Sequence, residues 1–516
     1  MATLFVPQNK WVSIDHSDPK PAGLPSQNPT RSFWADSSPD ANPLSREGST
    51  GPLITDADVC IIGSGITGVG VAYHLSEAIE TNCAPVTTQG SYSRGERLLC
   101  VFYSWLSYSL DVGWCADGLI GAGATGRNGG HLTPAAFSEF HDRASKYGPE
   151  EAKRSNTLEA HTASSLVRII QDHGWVNDVD LVHGGHIKLL CSDQQVESAQ
   201  RDREAAVDAG WSLDGVLALS KEEVEATFGA HYPAVKIPGY NLWPLKLVTK
   251  LYQLAQSRTG KGFDLTLHTH TPVTAIQREN VSSSASEPSA NATRAYRLLT
   301  PRGAIACSRV VHATNAYASH LLPFLAGPQG IVPVRGQVIA TRASVGTDQI
   351  KINSWTANEG REYWFPRPID SADEKPLVIL GGAGNVVYVD DDTTCHPKVG
   401  ESLRAFLPTV FEGKFERGRE PEMEWTGIMG YTAIKDPFVG PIDKFQGTDI
   451  TRYTGQFIAA GYSGHGMPLT PSLVLSSAEV VVQMIVAELT GTEWIQPEWL
   501  PTRYLTGKER ELMMRN

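Results

Sequence analysis

Residues 58–75 read Asp-Val-Cys-Ile-Ile-Gly-Ser-Gly-Ile-Thr-Gly-Val-Gly-Val-Ala-Tyr-His-Leu, and no other stretch restricts the fold as strongly. Val59 to Ile62 form a short apolar run that passes into Gly63, Ser64, Gly65, Ile66, Thr67 and Gly68 in the order G-x-G-x-x-G. The first glycine permits a tight turn, and the second lets the backbone approach a pyrophosphate. The third lets the following helix pack closely on the strand. Val69, Ala72 and Tyr73 then recur at helical spacing, so the helix directs its positive end at the phosphates. A strand before and a helix after are the context a dinucleotide-binding turn requires.

The rest of the composition narrows the class. The chain has 516 residues, enough for two or three domains with large cores. Its 44 basic and 56 acidic residues give a net charge of −12, which disfavours nucleic acid or an anionic membrane as partner. Seven cysteines without a C-x-x-C pair or a Cys/His ligand spacing point to reduced thiols and no structural metal. The N-terminus lacks a signal-peptide pattern, and the run Leu98 to Leu110 is too short and too serine-rich to span a bilayer. A cytoplasmic enzyme is the expectation.

Three further stretches carry chemistry. Residues 121–134 read G-A-G-A-T-G-R-N-G-G-H-L-T-P, 310–322 read V-V-H-A-T-N-A-Y-A-S-H-L-L, and 457–471 read F-I-A-A-G-Y-S-G-H-G-M-P-L-T-P. In this order, with the turn at Gly63, they resemble the FAD-dependent amine and amino-acid oxidoreductases typified by D-amino-acid oxidase, sarcosine oxidase and gamma-glutamylputrescine oxidase. The resemblance extends from about Asp56 to Ala487.

It implies an α/β fold: a Rossmann-like FAD-binding domain plus a substrate domain with a large, mainly antiparallel sheet. It implies FAD as cofactor and hydride transfer from the C–N bond of an amine or amino acid. The expected FAD contacts beyond the turn are Thr125, Gly126, Arg127, Asn128, Gly129, Gly130, Thr314, Asn315, Gly464, Gly466, Met467 and Pro468. Arg127 and Asn128 sit among glycines, so backbone N–H groups and one guanidinium can face flavin and pyrophosphate. His465, between glycines, is the leading candidate for a flavin contact. With the helix opened by Thr470-Pro471 it would stabilise charge at the pyrimidine end of the flavin. Tyr363 is a candidate for substrate contact, and Arg335, Arg361 and Arg367 for holding a carboxylate. His131 reads as a structural hydrogen-bonder.

Sarcosine oxidases attach flavin to a cysteine just before a Tyr-Thr pair. Met429 stands there in this chain, so FAD is expected to be non-covalent. They also place a lysine over the flavin to promote reaction with oxygen, and Leu377 to Asn385 contains none. Two other functions fit the same residues: an FAD-dependent hydroxy-acid or alcohol dehydrogenase, and a non-catalytic chain that no longer binds FAD.

The last option comes from one anomaly. A dinucleotide fold places an acidic residue at the end of its second strand, ~20 residues past the turn, to bind the adenosine ribose. The residues at the matching distance before Gly123 are Cys115 and Ala116, and Asp117 is the nearest carboxylate. Either residues 80–114 contain a true insertion, with the second strand at Arg97 to Phe102 and Asp117 at the ribose, or they are retained intron sequence that replaces the strand. Excess length and a missing acid occur together, which favours the second.

The expected division is an N-terminal extension at 1–54, FAD-binding segments at 55–175, 241–330 and 431–490, substrate-domain segments at 176–240 and 331–430, and a polar tail at 491–516. The extension is expected on the surface, docked where Trp11, Phe33 and Trp34 allow. Glu150 to His173 reads as a long amphipathic helix with Leu158, Leu166, Ile169 and Ile170 inward. Leu267 to Ile276 reads as a strand with His268 and His270 on one polar face, without the third ligand a metal needs.

Overall fold

A computed structural model describes residues 20–81, 98–103, 121, 123–260, 262–279, 294–371, 373–382, 390–445, 447–464 and 473–507. Among them, two eight-stranded sheets dominate. The first has a parallel core in the order Gln456–Ala460, Gly303–His312, Asp56–Ile62, Leu98–Tyr103, Phe263–His268. Phe438–Pro441 closes one edge antiparallel, and Tyr296–Thr300 with Ala275–Arg278 folds back on Gly303–His312. The glycine-turn strand is central and covered on both faces, which is why it reads as an unbroken apolar run. Val59 and Ile61 pack among the helices Ile66–Glu80, Pro244–Ser257 and Val474–Thr490. Ala57, Cys60 and Ile62 face the opposite cluster with Tyr296, Leu298 and Ile305.

The second sheet runs Met423–Tyr431, Val332–Arg342, Leu377–Gly381, Glu362–Pro366, Ser354–Ala357, His186–Leu189, Ala234–Ile237, Leu217–Leu219. Its pairings are antiparallel except where Ser354–Ala357 meets His186–Leu189. Trp355 and Trp364 stack on one face at 5.7 Å, closed in by Phe406 and Phe411. Tyr363, one residue out of phase, points to the other face, as strand alternation requires. The helix expected over Glu150 to His173 forms as Pro149–Asp172, with Leu158, Leu166, Ile169 and Ile170 buried.

Three expectations change. Leu98–Tyr103 is a working second strand, with Val59 beside Cys100 and Cys100 beside Leu265. The extra sequence therefore lengthens the connections around the strand and does not replace it. Counting back from Gly123 misplaced it, because six β-favouring apolar residues lay further upstream. The strand itself ends in Tyr103 and supplies no carboxylate, while Asp117 lies outside the described residues.

His268 closes the strand Phe263–His268, and His270 occupies a turn with φ 52°, so the two do not share a strand face. The tail is not simply polar. Leu500, Arg503 and Tyr504 are buried, because the last described residues pack back on the helix Pro149–Asp172. The N-terminal extension docks through Trp34, which is fully buried, whereas Trp11 lies outside the described residues.

One buried histidine gives a pH prediction. His312 ends the strand Gly303–His312, and its Nε2 pairs with Gln456 Oε1 at 2.8 Å. Burial pulls its pKa down to about 4 against the opposing Gln456 bond. An unfolded histidine titrates near ~6.5, so between those values the unfolded chain takes up a proton and the folded chain does not. This contribution is complete above pH ~6.5 and is lost as pH falls toward ~4, by up to about 3 kcal/mol. In urea melts, H312Q is expected to lose stability more shallowly over that window, by up to one proton. Equal slopes for both proteins would refute the assignment.

Candidate functional site

The carboxyl ends of Asp56–Ile62 and Gly303–His312 open on a cavity that extends under the second sheet, with about 1320 Å³ of empty space including its mouth. Gly63 to Thr67 form one end, joined by Thr125 and by Ala313 to Tyr317. Tyr363, Gly427, Ile428, Met429, Tyr462 and Gly464 line the rest with Arg127, Asn128 and Asp392.

The turn is built by exclusion of side chains. Gly63 has φ 111°, and a methyl group there would lie 2.8 Å from the Ala313 carbonyl carbon and closer to its oxygen. A methyl at Gly68 would overlap the Gly63 carbonyl. Gly65 caps the helix Ile66–Glu80 without a side chain. The first helical N–H, of Ile66, donates to Thr125 Oγ1 at 3.0 Å, so the second glycine-rich loop is fastened to the first. Gly121 N to Ser64 O, 3.0 Å, ties them again.

Asn128 and Arg127 line the cavity, and their side chains also bond the protein around it. The Asn128 amide donates to the Ala124 and Thr125 carbonyls at 3.1 and 2.7 Å and accepts from Gly130 N at 2.7 Å. It locks its own loop. Arg127 Nη1 donates to the carbonyls of Thr30 and Thr426 at 2.7 and 2.8 Å, and Nε lies 3.7 Å from Asp392 Oδ2. Burial lowers the Arg127 pKa and raises that of Asp392, each tempered by the other's charge. Asn315, at φ 45°, accepts from Gly461 N at 3.0 Å and so anchors the chain leading to Gly464.

Tyr363 reaches the cavity between two glycines. A methyl at Gly129 would lie 2.6 Å from its Cδ2, and one at Gly381 would overlap the ring. His131 meets that ring edge-on at 5.6 Å and is itself buried, its pKa drawn down to about 4 by burial against a Gly129 carbonyl bond. His131 is thus a neutral packing partner behind the cavity wall.

The candidate arginines are placed elsewhere. Arg367 pairs with Asp180 and lies over Trp34 and Trp243, Arg335 donates to the Asp391 carbonyl, and Arg361 is exposed. His465, Gly466, Met467, Pro468 and the Thr470-Pro471 helix start lie outside the described residues. Sequence reasoning missed Asp392 and the N-terminal Pro25, Ser26 and Pro29 in the cavity wall. The pair Phe33-Trp34 in a polar stretch was the available signal.

The arrangement fits a flavin dinucleotide. Two glycine-rich turns and a helix N-terminus whose N-cap residue is glycine face one end of the cavity. Thr314 Oγ1, buried and lining that end, has no hydrogen-bond partner among the described residues, so a ligand there can bond it.

Known proteins agree. Residues 58–473 match the family model described as DAO, FAD dependent oxidoreductase. Gamma-glutamylputrescine oxidoreductase of Escherichia coli (strain K12) is 23% identical over 421 residues, 80% of each chain. L-proline dehydrogenase from P. horikoshii superposes with a TM-score of 0.61 at 16% identity, over 89% of this chain and 99% of that one. Glycine oxidase from Geobacillus kaustophilus does so with 0.59 at 20% identity, over 87% and 99%. With the glycine cradle, the cavity and the matched length in agreement, the chain belongs to the FAD-dependent oxidoreductases of the DAO family.

Proposed function

We propose that the protein oxidises the C–N bond of an amine or amino acid, with hydride passing to non-covalently bound FAD. The observation that carries this is the single cavity joining the glycine turn to Tyr363 and Met429 under the antiparallel sheet. Bound FAD supplies the two-electron acceptor.

The protein supplies position and dryness. Tyr363, fixed between Gly129 and Gly381 with His131 behind it, presents an aromatic wall. Arg127 and Asp392, mutually paired, are the only Arg, Lys, Asp or Glu among the described lining residues. Such surroundings favour a neutral amine, the form with a lone pair to support hydride loss, over its ammonium. The relatives named for gamma-glutamylputrescine, proline and glycine support a nitrogen substrate. Four cysteines with described side chains are all free, in keeping with a cytosolic setting.

An anaerobic screen of amines, amino acids and hydroxy acids for flavin bleaching tests the proposal. Bleaching by a compound with a C–N bond is expected, and bleaching by hydroxy acids alone would overturn it. Since Met429, not a thiol, lines the cavity where attachment would occur, acid precipitation should leave flavin in the supernatant. Flavin fluorescence in the pellet would contradict this. Lys375 is exposed, and the strand Leu377–Gly381 contains no lysine. Turnover in air is therefore expected to release peroxide slowly compared with transfer to an artificial acceptor dye. Fast stoichiometric peroxide would count against that.

A further inference from the structure

The family match begins at residue 58, but the cavity wall begins earlier in the chain. Residues 20–36 run along the seam of the two sheets. Ala22 N donates to Ser319 Oγ, Gly23 N to the Asp390 carboxylate and Thr30 N to the Asp392 carbonyl, each at 2.8 Å. Thr30 is the central fastening. Its carbonyl accepts from Arg127 Nη1 at 2.7 Å, and its hydroxyl accepts from Thr426 N at 2.8 Å.

Beyond it, Ser32 Oγ donates to the Gly126 carbonyl at 2.7 Å and Trp34 Nε1 to the Asn128 carbonyl at 2.6 Å. Both acceptors belong to the loop that also caps the dinucleotide helix through Thr125. Trp34 is fully buried, 5.6 Å from Trp243 and 6.3 Å from Phe365, with Arg367 over its face at 5.3 Å. Fixed at these points, the segment presents Pro25, Ser26 and Pro29 to the cavity.

We propose that residues 20–36 are a cofactor-retaining strap. Pro25, Ser26 and Pro29 touch bound FAD, while Thr30, Ser32 and Trp34 are positioning residues that hold them against it. Flavin enters before the strap seats and leaves when it lifts. An extension serving only to complete the core would need no residues in the cavity wall and no bonds to both glycine-rich-loop carbonyls. The inference rests on the FAD reading of the cavity.

Residues 37–40 are exposed, so a protease recognition sequence inserted after Ser38 allows the strap to be cut in the folded full-length holoenzyme. A cut segment that stays bound is loosened with W34A before the measurement. Once gel filtration shows the segment gone, flavin release, followed by the rise in free-flavin fluorescence on dilution, is expected to speed up at least tenfold. Far-UV circular dichroism should not change, and a synthetic peptide of residues 20–38 should slow release again. T30G in the uncut chain should act in the same direction with a smaller effect. Release at the uncut rate after the segment has left overturns the strap. An uncut protein that never carries flavin would instead fail the FAD reading.

Discussion

Gly63→Ala is expected to weaken FAD binding by roughly ten- to a hundredfold or more, at 1.4 kcal/mol per decade. Two costs act together. At φ 111° a residue with a Cβ is held in a region L-amino acids avoid, for about 1–3 kcal/mol. The added methyl also meets the Ala313 carbonyl, whose strand ends the neighbouring wall of the cavity. Relief requires the turn to separate from Ala313-Thr314, and that gap is where the dinucleotide end of the cavity lies. Titration of apoprotein with FAD, read by quenching of flavin fluorescence, gives the affinity directly. A dissociation constant within about threefold of the parent protein's would show that the turn tolerates a side chain and does not hold the pyrophosphate.

Arg503→Ala should cost the fold about 3–5 kcal/mol. The guanidinium is 1% exposed and satisfies three groups at once. Its Nε lies 2.7 Å from Asp436 Oδ2, its Nη2 2.6 Å from Ser155 Oγ, and its Nη1 3.3 Å from Glu151 Oε2. The rings of Tyr147 and Tyr504 flank it at 5.0 and 5.1 Å. Removing the cation takes Arg503's charge away from two buried carboxylates, of which Glu151 keeps Arg154 at 2.9 Å, and the cost of losing it exceeds the net value of the pairs. The triple variant R503M/D436N/E151Q, which removes the charges together, should therefore be more stable than R503A. Denaturant melts of the three proteins decide it: a loss below about 1 kcal/mol for R503A would place the network with ordinary surface pairs.

The sequence disclosed what repeats locally and concealed what depends on distant partners. The strand, turn and helix around Gly63 were legible because each glycine has a steric reason that does not depend on the rest of the chain. The long helix Pro149–Asp172 was legible from its apolar period, and the position of Tyr363 opposite Trp364 from strand alternation. Leu98–Tyr103 was misjudged because a spacing rule was applied across a stretch much longer than the rule assumes, although six apolar residues in a row were strand-like on their own.

Arg127 and Asn128 were placed in the right loop, yet their side chains are taken up by carbonyls of Thr30, Thr426, Ala124 and Thr125. No local pattern could disclose Thr30 or Thr426, which lie far apart in the chain and meet only in three dimensions. The same holds for Asp392, whose neighbour Arg127 is more than two hundred and fifty positions away. The C-terminal stretch looked polar because the partners that bury Arg503, Asp436, Ser155 and Glu151, all lie far upstream in the chain.

The parallel core of the first sheet is drawn from distant parts of the chain: Asp56–Ile62 lies beside Gly303–His312, which in turn lies beside Gln456–Ala460. On a ribosome working at roughly 5 to 20 residues per second, Gln456 follows Ile62 by roughly 20 to 80 seconds. Throughout that interval the strand Gln456–Ala460, the outer neighbour of Gly303–His312, has not been made. A truncation upstream of Gln456 is therefore expected to leave one edge of Gly303–His312 unpaired, an open template for pairing with another chain.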